Sequence, residues 1–510
     1  MTKKLKLFFG ILVLLAVFFT ACNRQARPVA SDRDNIVISI VSEWATLDPR
    51  VGNDMLAFTV MSQVYDTLVI QRSDNTLIPG LATRWDISPD GTEYTFYLRE
   101  GVRFHNGDIM TADDVVFSFE RSMASPVTVR ITGTIDRVEK IDDLTVKVTL
   151  QFPYGPFLAC TAQVNLAVVS KRAVEEMGND TFARNPVGTG PYRFIEWRPG
   201  DRMIMEAFTD YWREEARIKH ITYRIITDST TATIALERGE IDMLLVVPAS
   251  EREHVLRNQN LFFDETPSGA TWFIAFNLAE GIFTNPLLRE AVSYAVNRED
   301  IILGALEGIG VRIDAPYTPN DFGYPVGFRG NPYDPARARQ LIAEAGYPDG
   351  VTINIRTMES PNYARPSEII QEQLRVAGFD ARLELMERGA FLTDAYTNGQ
   401  YEIMFSALTA LVPDADFHVY IRFHSRFQGG GVNFTFADFP EMDRLLEIGR
   451  MSTNQQERLD AYLAVAQLNA ELNIWIPLFV PMIGTACVNG IKGLVAHPAQ
   501  RYHIYDLYWE

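Results

Sequence analysis

The chain has few cysteines, and none at a spacing typical of a metal or redox motif. Among 510 residues only Cys22, Cys160 and Cys487 are cysteine, and no C-x-x-C pair occurs. This composition argues against a fold held by many disulfides and against the common cysteine-based zinc sites. We expect Cys160 and Cys487 to be two free buried thiols, although an oxidising compartment would also permit a disulfide between them.

The chain also lacks an excess of basic residues. Its formal net charge is −18, from 47 Lys and Arg against 65 Asp and Glu. A nucleic-acid-binding protein needs a basic surface, so the composition argues against this class. A length of 510 residues exceeds what one hydrophobic core usually serves, which predicts two or three domains.

Catalytic and metal-binding motifs are missing as well. The sequence has no G-x-S-x-G elbow, no H-E-x-x-H, no Walker loop and no G-x-G-x-x-G after a strand. The spacing of Asp416, His418 and His424 fits no compact metal site. His105 lies beside Asn106-Gly107 and is interpreted as a structural turn residue. We therefore expect no enzyme activity, no cofactor and no metal.

One long apolar run stands at the N-terminus. Lys3, Lys4 and Lys6 precede an apolar stretch from Leu7 to Phe19. About 20 residues are needed to span a bilayer, so this stretch is typical of a signal sequence rather than of a mature membrane helix. Removal of residues 1–21 would take the net charge from −18 to −21, because three lysines and no acids would be lost.

The end of this run resembles a bacterial lipobox, Phe19-Thr20-Ala21-Cys22. The resemblance implies a lipoprotein signal peptide over residues 1–21, with Cys22 acylated and residues 22–35 acting as a flexible tether. The alternative is an ordinary secretory signal in which Cys22 is incidental. With a lipid anchor, the protein would be held at a membrane surface outside the cytoplasmic membrane, in a periplasmic space or at the cell surface.

The most informative segment runs from Leu81 to Met123. Asp90-Gly91 predicts a turn, and Thr111 with Asp114 predicts the capped start of a helix. Large apolar residues occupy alternate positions of the strand between them: Tyr94, Phe96 and Leu98. These patterns predict a strand, a hairpin and a helix, and they indicate no catalytic or binding residue.

The residue order of this segment is W-x-x-S-x-D-G-x-x-Y-T-F-x-L-R-x-G-V-x-F-H-x-G-x-x-x-T-A-x-D-V. It closely resembles the signature of the peptide/nickel-type extracellular solute-binding proteins (family 5) of ABC importers. The resemblance continues through Leu47-Asp48-Pro49, Pro186–Tyr192, Phe276-Asn277 and Arg289-Glu290-Ala291, so it covers nearly the whole chain.

Further elements are predicted along the chain. Arg137 to Phe152 has the pattern of a second hairpin. Helices are predicted from Asn285-Pro286, from Asp334-Pro335, from Ser367 to Ala377 and from Asn454 to Asn473. Strand-like runs lie between the later helices, and this alternation favours α/β lobes.

The family resemblance implies a periplasmic-binding-protein-like fold, an α/β clamshell of two lobes. The first lobe would be composite, with residues 36–72, 186–277 and 488–510 in domain I and residues 73–185 in domain II. Residues 278–487 would form domain III, the second lobe. Hinge strands are expected near Phe276-Asn277 and near Cys487. A ligand would bind between the lobes and favour their closure.

Candidate ligand-binding residues come from the loops that the family places at the lobe junction. They are Glu43, Trp44, Trp272, Asn277, Ser406, Ala407, Leu408, Asp414 and Asp416. Trp272 has core packing as its alternative role, and Asp414 and Asp416 have helix capping. The expected partners are a small solute, an ABC permease with its ATPase subunits, and the membrane through the lipid. The protein is expected to act as a monomer.

The sequence departs from its dipeptide-binding relatives at two charged positions. The Asp that pairs with a ligand's α-amino group falls on Ala410, and the Arg that takes a dipeptide's carboxylate falls on Met358, unless a gap in the alignment lets Asp414 serve. A desolvated zwitterion needs such partners. We therefore expect a peptide other than a free dipeptide. The alternatives are an oligosaccharide or other uncharged solute, a nickel chelate, and a surface receptor or adhesin that uses the same fold.

Overall fold

The structure is a computed structural model that describes residues 33–429, 431–496 and 502–510. Within these ranges no helix is long and apolar enough to cross a membrane, and no group of three His, Cys, Asp or Glu side chains is placed to hold a metal ion. The predicted signal peptide, Cys22 and most of the tether lie outside the described residues.

The described chain alternates strands and helices. The strands are β1 Asn35–Ile40, β2 Val69–Gln71, β3 Leu77–Pro79, β4 Ala82–Ile87, β5 Glu93–Leu98, β6 Ile135–Asp142, β7 Thr145–Leu150, β8 Tyr192–Arg198, β9 Arg202–Ala207, β10 His220–Ile225, β11 Met243–Val247, β12 Leu261–Pro267, β13 Ala270–Phe276, β14 Gly310–Arg312, β15 Val351–Met358, β16 Phe379–Met386, β17 Ile403–Thr409, β18 Trp475–Val488, β19 Ile491–Lys492 and β20 Tyr508–Trp509.

The α-helices are α1 Met55–Val64, α2 Ala112–Met123, α3 Val129–Thr132, α4 Phe157–Thr161, α5 Lys171–Met177, α6 Asn179–Phe182, α7 Ser229–Glu237, α8 Ala249–Arg257, α9 Pro286–Ala295, α10 Arg298–Leu306, α11 Pro335–Glu344, α12 Pro361–Val376, α13 Arg388–Phe391, α14 Ala415–Phe423, α15 Pro440–Met451 and α16 Gln455–Leu472. Short 3₁₀ or π turns cover Val164–Leu166, Ile282–Thr284, Leu392–Thr397, Ser425–Phe427 and Ile504–Asp506.

A twelve-stranded mixed sheet is the frame of the molecule. Its order is β16-β15-β17-β13-β18-β11-β1-β10-β9-β8, and β12 and β14 also pair with β18. The pairs β1–β10 and β15–β16 are parallel, as an α/β fold requires. We name β1 with β8–β12 half-sheet 1, and β13–β17 half-sheet 2. Strand β18, 14 residues long, is shared between them.

Two chain passages connect the half-sheets. One is Ser268-Gly269, between β12 and β13. The other lies around Pro481, where β18 passes from pairing with β13 and β14 to pairing with β12. Both lie N-terminal to the positions expected from the sequence, because Phe276 pairs with Ile403 within half-sheet 2 and Cys487 pairs with Met243 within half-sheet 1. Apolar periodicity in the sequence predicts that a strand forms. It does not predict the residue at which that strand stops pairing with one neighbouring strand and begins pairing with another.

A separate four-stranded antiparallel sheet has the order β4-β5-β7-β6. The predicted alternation is confirmed, since Tyr94, Phe96 and Leu98 of β5 are all buried. The predicted capping box is confirmed too: Thr111 Oγ1 accepts from the Asp113 amide and Asp114 reaches back to the Thr111 amide. The second hairpin is formed by β6 and β7.

The segment Pro186–Tyr192 joins this sheet region to half-sheet 1. Gly188 and Gly190 lie against the backbone of α1, where a Cβ at either position would overlap Val64. The Nε2 of His105 lies 2.9 Å from the Gly190 carbonyl oxygen. Burial lowers the pKa of His105 to about 4, so the ring is neutral at pH 7 and serves as the expected turn-stabilising residue.

The predicted helix starts at Pro286 and Pro335 are confirmed, and the long helix α16 has its N-cap at Asn454. The helix expected from Ser367 begins earlier, at Pro361, and carries Pro366 inside it. Proline at the first position is well tolerated, so Pro361 sets the start, while Pro366 removes one backbone hydrogen bond without ending the helix.

The two described cysteines lie in different hydrophobic clusters and are free and buried. Cys160 packs with the four-stranded sheet, and Cys487 packs with half-sheet 1. Burial raises the pKa of both thiols, that of Cys487 to about 12, so neither is a ready nucleophile at neutral pH.

Candidate functional site

A cavity of about 710 Å³ lies where all three predicted domains meet. Its walls come from the C-terminal end of α1, the β2–β3 hairpin, the loops at Asn320 and Pro413, and the C-terminal segments 493–495 and 502–507. The charged residues in the lining are Asp66, Arg72, Asp74, Arg213 and Asp506, and His503 lies among them. A cavity of this size, with a few polar and charged groups among apolar ones, is typical of a small-molecule site.

Asp66 is the buried carboxylate of this cavity, and only 8% of it is exposed. Its Oδ1 accepts a hydrogen bond from Tyr211 Oη at 3.1 Å, and its Oδ2 accepts from Thr189 Oγ1 at 3.0 Å and Trp212 Nε1 at 2.8 Å. Burial raises the pKa of Asp66 to about 6 against the opposing effect of these donors and of the Arg213 charge. The carboxylate therefore holds Tyr211 and Trp212 in place beside the cavity.

Asp66 should make the stability of the protein depend on pH. Because its folded-state pKa is raised, the native state binds the proton more tightly, and the free energy of unfolding falls as pH rises from the unfolded pKa of about 4 towards about 6. Relative to the non-titrating variant Asp66→Asn, we expect wild type to lose about 2–3 kcal/mol between pH 4 and pH 7. Urea unfolding across that range measures the loss.

The exposed residue Asp438 supplies the control for this measurement. The variant Asp438→Asn should follow wild type at every pH. A difference between wild type and Asp66→Asn that stayed constant with pH would show that Asp66 does not titrate in this range.

Of the sequence-predicted residues, Glu43 and Trp44 pack against half-sheet 1. Glu43 is exposed and its Oε1 accepts from Trp197 Nε1 at 2.8 Å. Trp44 is 2% exposed, with its ring centroid 5.5 Å from that of Trp197 and 6.3 Å from that of Tyr223. In this conformation Trp44 has no open ring face for a ligand.

Trp272 and Asn277 lie on β13 and just after it. The Trp272 ring packs against Tyr363 and Phe479, and its Nε1 has no acceptor among the described residues. Asn277 Nδ2 donates to the Gly399 carbonyl at 2.8 Å, and its Oδ1 accepts from the Ala279 amide at 2.9 Å. Asn277 therefore shapes the turn that leaves β13.

Ser406, Ala407 and Leu408 form the C-terminal part of β17. Ser406 is buried and its Oγ lies 2.7 Å from Tyr396 Oη, while Ala407 and Leu408 are partly buried. Ala407 pairs with Trp272 across the β13–β17 ladder. The structure thus brings Trp272 and these three residues together at one end of half-sheet 2.

Asp414 and Asp416 are engaged by arginines. Asp414 caps helix α14 and accepts two hydrogen bonds from Arg458, at 2.7 and 2.8 Å. The Oδ2 of Asp416 accepts from Arg450 Nη1 at 2.7 Å. Burial raises the pKa of Asp414 despite the arginine. The helix-capping role given above as the alternative for Asp414 is therefore observed.

Asp416 also takes part in a contact between the four-stranded sheet region and the predicted second lobe. Tyr154 Oη donates to Asp416 Oδ2 at 3.1 Å, and the Arg450 guanidinium lies 4.6 Å from the Tyr154 ring centroid. Nearby, Arg130 Nη2 donates to the Phe417 carbonyl at 2.9 Å. The structure therefore has these two parts of the molecule in direct contact.

The positions aligned with the charged residues of dipeptide receptors bring no charge here. Met358 ends β15 and packs in a hydrophobic cluster with half-sheet 2, and Ala410 packs against the cluster of the four-stranded sheet. Asp414, the possible substitute, is 2% exposed and bound by Arg458.

None of the nine predicted ligand-binding residues lines the 710 Å³ cavity. The residues that do include Asp66, Arg213 and Tyr505, which come from distant parts of the chain. The run Tyr211-Trp212-Arg213 was the one signal available, an aromatic and basic cluster after β9, but no spacing in the sequence connects it with Asp66.

Two α/β half-sheets joined by two chain passages, with a cavity where the three predicted domains meet, are features expected of a solute-binding protein of the periplasmic type, and comparison with known proteins agrees. The sequence model of the family described as bacterial extracellular solute-binding proteins, family 5 Middle, matches residues 76–430. The chain therefore belongs to this family. The family comprises the peptide/nickel-type binding proteins of ABC importers, which are extracellular or periplasmic and are not enzymes.

Relatives of the chain match over most of its length. The glutathione-binding protein GsiB of Pectobacterium atrosepticum is 31% identical over 449 residues, 86% of each chain. The protein of the same name from Salmonella typhi is 29% identical over 496 residues, 95% of this chain and 96% of that one.

Solved structures share the fold. HbpA2 from Haemophilus parasuis superposes with a TM-score of 0.87 at 26% identity, over 93% of this chain and 100% of that one. The periplasmic binding protein DppA from Helicobacter pylori, solved with the peptide STSA, has a TM-score of 0.77 at 28% identity, over 93% and 98% of the two chains.

Proposed function

We propose that this protein captures a short peptide between its lobes and delivers it to an ABC permease. The observation that carries the proposal is the 710 Å³ cavity, to which residues of all three predicted domains contribute and which carries charges of both signs. Relatives named for glutathione, a tripeptide, and a structural neighbour solved with a tetrapeptide support this ligand class. The predicted domains and the two passages near Ser268 and Pro481 would serve as lobes and hinge.

A screen for thermal stabilisation tests the ligand class. Unfolded and refolded protein, freed of any carried-over ligand, is mixed with glutathione, tri- and tetrapeptides, dipeptides, oligosaccharides and nickel–histidine. A ligand at 100 times its dissociation constant should stabilise the fold by about 2.7 kcal/mol. We expect tripeptides to stabilise most and dipeptides little, since Ala410 and Met358 supply no charge. Stabilisation by oligosaccharides alone would overturn the peptide proposal.

An uncharged ligand remains the second candidate because of Trp272. Trp272 is half-buried, so a sugar could stack against its ring, although the indole N–H, which lacks an acceptor among the described residues, is itself buried. Trp44, the other ring suggested for stacking, is covered by Trp197 and Tyr223. Because only one of the two suggested rings is open to stacking, we rank an uncharged ligand second to a peptide.

Anchoring through Cys22 is a further part of the proposal. The lipobox-like Phe19-Thr20-Ala21-Cys22 motivates it. We expect mass spectrometry of protein from its native membrane to find residues 1–21 removed and a diacyl- or triacylglyceryl group on Cys22. The variant Cys22→Ser should leave the membrane fraction and act as a free monomer. Retention of Cys22→Ser in the membrane would refute the lipid anchor, while Cys160→Ser should stay membrane-bound as a matched control.

A further inference from the structure

Arg213 is an arginine of the cavity wall that makes no ion pair among the described residues, although its charge lowers the pKa of the nearby Asp66. Among the described residues no carboxylate oxygen lies within ion-pair distance of its guanidinium, and no hydrogen bond holds it. It lies instead against two aromatic rings, 4.8 Å from the Trp212 centroid and 5.9 Å from that of Tyr505. Arg213 is half-buried, whereas the buried Arg458 is bound by the Asp414 carboxylate and the buried Arg289 by backbone carbonyl oxygens.

The arrangement fixes the arginine while leaving its hydrogen-bonding edge open. Asp66 holds the Trp212 indole by a 2.8 Å hydrogen bond, and Tyr211 lies 5.4 Å from Tyr505, centroid to centroid. Stacking on rings engages the faces of a guanidinium but leaves its N–H donors free. A planar guanidinium with open donors suits a carboxylate, which it binds through two parallel hydrogen bonds.

We propose that Arg213 binds a carboxylate of the ligand inside this cavity. The proposal rests on the proposed peptide-binding function, and it replaces the carboxylate-binding arginine that is missing at Met358. Asp66 acts here as a positioning residue for the ring beneath Arg213. The ligand class is thereby narrowed to solutes with a free carboxylate, such as a peptide with an unmodified C-terminus.

Calorimetric titration with paired probes tests this assignment. The probes are glutathione and tri-alanine, each as the free acid and as the C-terminal carboxamide. We expect wild type to bind the acids about tenfold or more tightly than the amides, and Arg213→Gln to bind both forms about equally. Arg213→Lys, which keeps the charge but not the paired donors, should retain part of the preference.

Arg217 provides the matched control, because it stacks on Tyr508 at 4.5 Å but does not line the cavity. Arg217→Gln should discriminate acid from amide as wild type does. A preference for the acid that persisted in Arg213→Gln, or equal binding of acid and amide by wild type, would refute the role of Arg213.

A second probe separates failure of this inference from failure of the peptide proposal. Acetate replaces chloride at constant ionic strength, and the unfolding midpoint is recorded. If acetate raises the midpoint of wild type but not of Arg213→Gln while neither peptide binds, the anion subsite stands and the peptide ligand is wrong. If the peptides do not bind and acetate has no Arg213-dependent effect, the subsite is wrong as well.

Discussion

Replacing Asp414 by alanine should destabilise the protein by about 3–5 kcal/mol, because the change leaves the Arg458 guanidinium buried without a counter-charge. The two side chains are 3% and 6% exposed and share a two-fold hydrogen bond. Asp414 also caps α14, and loss of a cap adds about 1 kcal/mol. Urea unfolding at pH 7 of wild type and Asp414→Ala measures the difference.

Two further variants show whether the buried charge is the cause. In Asp414→Ala combined with Arg458→Met, no charge is stranded, so we expect less destabilisation than in Asp414→Ala alone. Burial raises the pKa of Asp414 in spite of Arg458, which indicates that the carboxylate remains costly to bury even when it is paired. Arg444→Gln breaks an exposed ion pair with Glu441 and should leave stability unchanged. A double variant less stable than the single one would argue against this explanation.

Local structure could be predicted from the sequence where neighbouring residues decide it. The alternation in β5, the capping box at Thr111 and the start of α9 at Pro286 all depend on positions a few residues apart. The helix expected from Ser367 shows the limit, since Pro366 looks like a boundary and yet lies inside α12. Whether a proline ends a helix depends on how the surrounding backbone is packed.

The candidate site was harder to predict, because its residues are brought together by contacts between distant parts of the chain. Trp44 has the local context of a pocket residue, but Trp197 and Tyr223 cover it. Asp414 has the context of a cap or a ligand-binding acid, and Arg458, distant in the sequence, engages it. Asp66 is a candidate because it is buried, and Arg213 is a candidate because it packs against the rings of Trp212 and Tyr505. No local sequence pattern predicts either feature. The sequence gives the residue types, but the packing of the folded chain decides which charged side chains remain without an ion pair.

The contact of Tyr154, Asp416 and Arg450 should set how readily the proposed lobes close. It joins the predicted domain II, which carries Tyr154, to the predicted domain III, which carries the other two. In the structure, where the two parts are in contact, Asp416 is 4% exposed and has Arg450 as its counter-charge. We expect opening of the proposed lobes to expose the Asp416 carboxylate to water, where it needs no partner. Removing Arg450 therefore penalises the closed form more than the open one.

We expect Arg450→Met to weaken peptide binding by about thirtyfold or more, since losing one partner of a buried charged pair costs about 2 kcal/mol or more and ligand binds through the closed form. Tyr154→Phe removes one hydrogen bond, worth about 1 kcal/mol, and should weaken binding several-fold. Calorimetry with the best tripeptide of the screen gives the affinities, and small-angle scattering gives the radius of gyration, which should be larger for ligand-free Arg450→Met than for wild type. Arg444→Gln, on the same helix α15 but exposed, should match wild type in both measurements. If Arg450→Met bound peptide as tightly as wild type, the contact would have no part in closure, and lobe movement would have to be controlled at the passages near Ser268 and Pro481 alone.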